Sequence, residues 1–211
     1  MTTFLFLLPK TSAWPILANI YLLFFIACST QQPNPNVLIK TELGDIKVEL
    51  YADKAPLTTQ NFLQYVKTSR YKGATFYRTV TTAPDNQPNK PVKIDVIQGG
   101  FAIHLGDKTQ YAELLPPIAH ESTDKTGIKH QDGTISMARD APGSAQSEFF
   151  ICVGPQPELD FGGKRNPDGA GFAAFGRVIE GMDIVRKIHV QPNEEQMLDP
   201  RIDILSIQVV E

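Results

Sequence analysis

Of the side chains in this sequence whose types could carry out chemistry, Arg78 has the most telling surroundings. It lies in Thr75-Phe76-Tyr77-Arg78-Thr79-Val80, where aromatic and β-branched residues surround one charge, as in a strand. Alternation predicts Phe76, Arg78 and Val80 on one face. A guanidinium keeps its proton and offers five donors, so there it needs acceptors or solvent. It is either a rim arginine that stacks on an aromatic or pairs with a carboxylate, or a fixed donor at the edge of an apolar ligand groove. The other reactive types narrow the chemistry. His104, His120, His130 and His189 are scattered without metal-ligand spacing and read as structural, with His120-Glu121 a candidate polar network. Ser144 and Ser147 lack the Gly-x-Ser-x-Gly elbow of a hydrolase. The two cysteines, Cys28 and Cys152, give neither a disulfide framework nor a cysteine metal site. Cys152 sits in the apolar run Phe149-Phe150-Ile151-Cys152-Val153 and reads as a buried structural thiol.

These residues belong to a chain of 211 with 42% hydrophobic residues and a net charge of −3. That is enough for one globular domain with a substantial core, and it gives no reason to expect a nucleic-acid partner. Sixteen prolines and fifteen glycines favour a β-rich fold with many turns. The N-terminus differs. Ile16 to Ala27 is apolar except for Asn19, Lys10 precedes it and no acidic residue lies ahead. The run is short for a membrane span and suits a signal-peptide core. It ends Phe25-Ile26-Ala27-Cys28-Ser29, which resembles a bacterial lipoprotein processing site with Cys28 lipidated, although Phe25 stands where leucine is usual; the alternatives are an ordinary secretory signal with an incidental cysteine and an uncleaved anchor. Residues 1–27 are thus expected to be a signal peptide, 28–36 a polar tether and 37–211 the folded domain, exported to the periplasm or cell envelope and held at a membrane surface by its lipid.

The elements that must position Arg78 follow from patterning. Val37 to Tyr51 reads as a hairpin turning at Gly44-Asp45. Pro56 opens a helix to about Thr68, with Asp53 as its cap and Leu57, Phe62, Leu63 and Val66 as its apolar stripe. Thr81 to Pro91 is a proline-bearing loop, and Val92 to Gln98 a strand closed by Gly99-Gly100. Strands are expected over 134–138, 147–153, 172–178 and 202–210, with a short helix over 181–188. Gly154 to Gly171 is a long loop, and long ordered loops often serve function. Many strands with two flanking helices predict a closed antiparallel barrel capped at its ends.

Five stretches then occur in one order: Phe76-Tyr77-Arg78, Val96-Ile97-Gln98-Gly99-Gly100, Ile135-Ser136-Met137-Ala138-Arg139, Ser147-Glu148-Phe149-Phe150-Ile151 and Phe175-Gly176-Arg177-Val178-Ile179-Glu180-Gly181-Met182. Together they resemble the cyclophilin family of peptidyl-prolyl cis–trans isomerases over about Val37 to Val210. The resemblance implies a mainly β fold, an eight-stranded antiparallel barrel capped by two α-helices. It implies proline-containing polypeptides as partners and no cofactor or metal. It assigns catalysis to Arg78 and Gln98, an apolar proline pocket to Val96, Phe150, Leu159 and Phe172, and backbone pairing with an extended peptide to Ala138 and Arg139.

The implied reaction is rotation about an X-Pro bond, slowed by a resonance barrier of roughly 18–20 kcal/mol. A donor aimed at the proline nitrogen favours the twisted state over both planar ones. Departures from the family bear on this site. Thr81 to Pro91 is an insertion, Asp95 stands near a usual aromatic, Glu158 replaces a tryptophan common in eukaryotic members, and Phe172 replaces a histidine or tyrosine. They predict a shallower, more acidic pocket partly roofed by the insertion. Beside the isomerase stand a proline-peptide-binding chaperone or scaffold with little turnover and, far behind, a lipocalin-like small-ligand barrel.

Overall fold

A computed structural model of the chain describes residues 1–2, 34–102 and 114–211. The chain divides into two compact units, Met1–Gln32 and Pro33–Glu211, and the fold is that of the second. The expected signal peptide, Cys28, most of the tether and His104 lie outside the described residues.

Among the described residues nine strands form: β1 (Asn36–Thr41), β2 (Gly44–Leu50), β3 (Thr75–Val80), β4 (Val96–Gly100), β5 (Thr134–Met137), β6 (Phe149–Cys152), β7 (Ala173–Glu180), β8 (Asn193–Glu194) and β9 (Met197–Val210). They pair in the order β1-β2-β7-β5-β6-β4-β3-β9-β8, and β1 also pairs with β9. Eight strands therefore close into an antiparallel barrel, while the two-residue β8 only folds back on β9. Closure removes the unpaired edges an open sheet would carry. Among the described residues three α-helices flank it: α1 (Pro56–Lys67), the single turn α2 (Thr123–Thr126) and α3 (Met182–His189). The barrel interior is aromatic. Phe149 meets Phe62 edge-on at 5.5 Å and Phe76 at 5.8 Å between centroids, the geometry ring quadrupoles prefer.

Several local expectations are corrected. Phe76 does not share a face with Arg78 and Val80, because a bulge between Phe76 and Arg78 shifts the register against both β4 and β9. Phe76 points into the barrel core, whereas Val80 joins an outer apolar cluster; one extra residue re-aims every side chain after it. The first hairpin turns at Glu42-Leu43, and Gly44 already pairs with Thr41. The Thr41 hydroxyl organises that turn, accepting from the Leu43 N–H at 3.1 Å. Glycine is required at 44 for a different reason: φ is +137°, and a Cβ would lie 2.5 Å from Ile184 Cδ1 on α3.

Asp53 does not cap α1. The carboxylate of Glu121, remote in sequence, accepts from the N–H groups of Leu57 at 3.2 Å and Thr58 at 2.8 Å and from the Thr58 hydroxyl, satisfying donors that a helix start leaves free. Leu57 is exposed rather than part of the apolar stripe; Phe62, Tyr65 and Val66 carry it. The strand expected from Val92 begins at Val96, since residues 81–95 are held by side-chain bonds instead. Gln87 is buried there and donates to the carbonyls of Thr81 and Ile94. β9 begins at Met197, earlier than the Ile202 expected.

Candidate active site

On the outer side of β3, β4 and β6 lies a cavity of about 580 Å³. Val96, Phe150, Leu159 and Phe172 form its apolar wall, with Arg78, Gln98, Ala138 and Arg139 around it. The antiparallel register explains part of this convergence: Arg78 is opposite Gln98, and Gln98 opposite Phe150. Leu159 and Phe172 are brought together by the 154–171 loop, which returns on itself so that the Phe172 N–H donates to the Leu159 carbonyl at 2.9 Å. Gly171 makes that return possible, with φ +64° and no room for a Cβ, which would lie 2.5 Å from the Asp160 backbone. Phe150 meets Phe172 edge-on at 5.3 Å.

Arg78 is held by neutral acceptors. Its Nη1 donates to Gln98 Oε1 at 2.8 Å, while Nε and Nη2 donate to Gln196 Oε1 at 3.0 and 2.5 Å. Burial pushes its pKa down from the ordinary arginine value, though not far enough to threaten the charge, since guanidinium remains protonated in proteins. Gln196 is a residue that sequence reasoning missed. It sits in the β8–β9 turn at φ +76°, and its amide nitrogen donates to the Asn86 carbonyl of the 81–95 segment at 2.9 Å.

Behind Gln98 runs a directed chain of bonds. Its amide nitrogen donates to the Tyr77 hydroxyl at 2.5 Å, and Tyr77 donates to Glu148 Oε2 at 2.6 Å. Because Gln98 Oε1 accepts from Arg78, the amide has only one consistent orientation. Burial, reinforced by the charge of Glu148, raises the Tyr77 pKa, and burial likewise raises that of Glu148. The apolar wall has a second support. His130, fully buried, stacks on Phe150 at 5.9 Å and bonds Asp160 at 2.8 Å and Ser136 at 3.0 Å. Burial alone would raise the Asp160 carboxyl, but the bonds from His130 hold it below its ordinary value.

Ala138 and Arg139 are placed at the cavity but differ in what they offer. The Ala138 N–H already donates to the Glu148 carbonyl at 2.8 Å, so it is not available to pair with a peptide. The Arg139 side chain lies over the Phe172 ring at 5.2 Å and bonds both Asp168 and the Gly171 carbonyl. The expected acidity from Asp95 and Glu158 is not found in the cavity lining. Asp95 accepts from the Thr82 N–H and hydroxyl at 2.8 Å, fastening the insertion; Glu158 accepts from the Lys164 N–H at 2.8 Å. His120 and Glu121 make separate bonds, to the Ala170 carbonyl and to α1.

Similarity to known proteins agrees with this architecture. The family model for cyclophilin type peptidyl-prolyl cis-trans isomerase/CLD matches residues 36–209. A peptidyl-prolyl cis-trans isomerase of Acinetobacter baylyi is 35% identical over 182 residues, covering 83% of this chain and 86% of its own. Peptidyl-prolyl cis-trans isomerase B of Escherichia coli is 35% identical over 153 residues, 72% of this chain and 82% of its own. The crystal structure of a Cryptosporidium parvum cyclophilin type isomerase superposes with a TM-score of 0.64 at 23% identity, over 84% of this chain and 98% of that one. That superposition bears on the fold, while the family model and the bacterial relatives bear on descent and activity. The chain belongs to the cyclophilin-type peptidyl-prolyl cis–trans isomerases, enzymes that rotate X-Pro bonds.

Proposed function

We propose that the protein isomerises X-Pro bonds in exported or envelope polypeptides and so assists their folding, with proline seated against Val96, Phe150, Leu159 and Phe172 and Arg78 as the catalytic donor. The observation that carries this is the guanidinium fixed by two glutamine amides above an apolar cavity. As the bond twists, lone-pair density localises on the proline nitrogen, and a donor placed in advance binds that state better than either planar one. Gln98 holds Arg78 and offers its polar edge to the substrate. The Arg139 backbone would pair with an extended chain, as an added strand does. The structure of the Cryptosporidium parvum protein in the presence of the dipeptide Ala-Pro supports proline peptides as the ligand class.

Exchange spectroscopy on a proline peptide tests the assignment. Arg78→Ala should lower the rate by about two decades, the loss of roughly 3 kcal/mol expected for a preorganised donor, while the barrel stays folded and affinity falls less. Arg78→Lys should rescue only in part, because ammonium lacks the planar fork. An unchanged rate in Arg78→Ala would remove Arg78 from catalysis.

The envelope location rests on the leader pattern ending at Ala27-Cys28 and the polar stretch after it. Lipidation of Cys28 would hold the enzyme at a membrane surface without a spanning helix. Mass spectrometry of the native protein should find an acylated Cys28 as the first residue; a mature chain that retains Met1 would sink this part of the proposal.

A further inference from the structure

The charges around the cavity that no ion pair neutralises are sorted by end. Antiparallel β4 and β6 define its direction, with Val96 opposite Cys152 at one end and Gly99 opposite Phe149 at the other. Glu148 and Asp140 belong to the second end, where Asp140 is tied through its N–H to Ser144. At the first end the wall is built by the 81–95 insertion and the 154–171 loop, and it presents Lys90 and Arg165. Arg165 joins the two segments: Nη1 donates to Gln87 Oε1 at 2.8 Å and to the Val92 carbonyl at 2.5 Å. These acceptors are neutral, as are those of Arg78. Among the described residues no carboxylate pairs with Arg78 or Arg165, whereas nearby Lys93 and Arg139 are taken by Asp85 and Asp168. Burial and then the charge of Arg78 push the Arg165 pKa down, so the two guanidinia repel across the cavity. A site that gathers like charges and leaves them without counter-ions is complementary to an anion.

We propose that this end of the groove is a subsite for an acidic side chain, so that the enzyme prefers proline segments carrying Asp or Glu on one flank of the proline. The inference rests on the proline-pocket reading above, which places an extended chain along the groove with one flank against Lys90 and Arg165. The opposite flank lies toward Asp140 and Glu148 and gains nothing from a carboxylate. Acid preference is therefore one-sided.

The test uses the full-length protein and peptides with Glu, Gln or Lys two residues before or two residues after the proline. Affinity and exchange rate are both read by NMR. Glu should exceed Gln by roughly threefold to tenfold in affinity at one flank only, the span of one or two partly exposed ion pairs, and Lys should be weakest there. The preference should shrink in high salt. It should fall in Lys90→Gln, survive in Arg165→Lys and disappear in the double variant Lys90→Gln, Arg165→Gln. Lys90→Gln keeps the test open if loss of Arg165 loosens the insertion. Equal affinity for Glu, Gln and Lys at both flanks would overturn the proposal, as would a preference untouched by the double variant. A chain that binds Glu peptides best yet turns none over would retain the acidic subsite and count against the catalytic role of Arg78.

Discussion

Arg78 shows how much of a site one residue reveals and how much it conceals. Its strand context announced a guanidinium that needs acceptors, and the motif around Gln98 supplied one of them. The second, Gln196, is 118 positions away in the polar run Pro192-Asn193-Glu194-Glu195-Gln196, which carries no periodic signal. Only the turn between β8 and β9 brings its amide to Arg78. Tyr77 was hidden differently, since alternation assigns it the face opposite Arg78 and only the bulge accounts for its place under Gln98. Gln196 is predicted to be a positioning residue. Gln196→Ala should lower the turnover rate about tenfold, as expected for a hydrogen bond to a charged group worth about 1.5 kcal/mol. Peptide affinity should barely change, because the apolar wall remains. Kinetics that show the opposite split, weakened binding with an intact rate, would place Gln196 on the substrate instead.

At the scale of elements, strands were more legible than the segments between them. β5, β6 and β7 lie close to where apolar runs put them, because burial on the sheet dictates their composition. The start of α1 was not legible, since its cap comes from Glu121 and no local pattern encodes a remote carboxylate. The 154–171 loop was recognisable as long and ordered, but its clamp was not. Arg139 is nearly sealed from solvent at its side chain, 1% exposed, and bonds Asp168 at 2.7 Å. Those hydrogen bonds lower the Asp168 carboxyl from its ordinary value to about 2. A carboxyl depressed on folding adds stability above its unfolded pKa, about 3.9, and loses it as the pH falls through the folded value. Melting curves should therefore separate wild type from Asp168→Asn at pH 5, with the two converging as the pH approaches 2. A gap that stays constant across that range would assign the stability to something other than this pair.

The whole molecule depends on one seam. β1 pairs with β9 from Asn36 opposite Val210 to Thr41 opposite Ile204. A chain ending at Asp203 would lose that pairing along with the buried side chains of Ile204 and Ile207. Burial of each is worth about 1.5–3 kcal/mol, against a typical domain stability of roughly 5–15 kcal/mol. Such a truncation should give no cooperative thermal transition by circular dichroism, whereas deleting Glu211 alone should leave the transition intact; a cooperative melt in the shorter chain would show the seam to be dispensable. The same seam also sets a clock. β1 can close the barrel only with β9, about 160 residues later in the chain, and translation at roughly 5–20 residues per second leaves β1 waiting on the order of ten seconds. Whatever acts on the nascent chain before β9 emerges acts on an unclosed sheet.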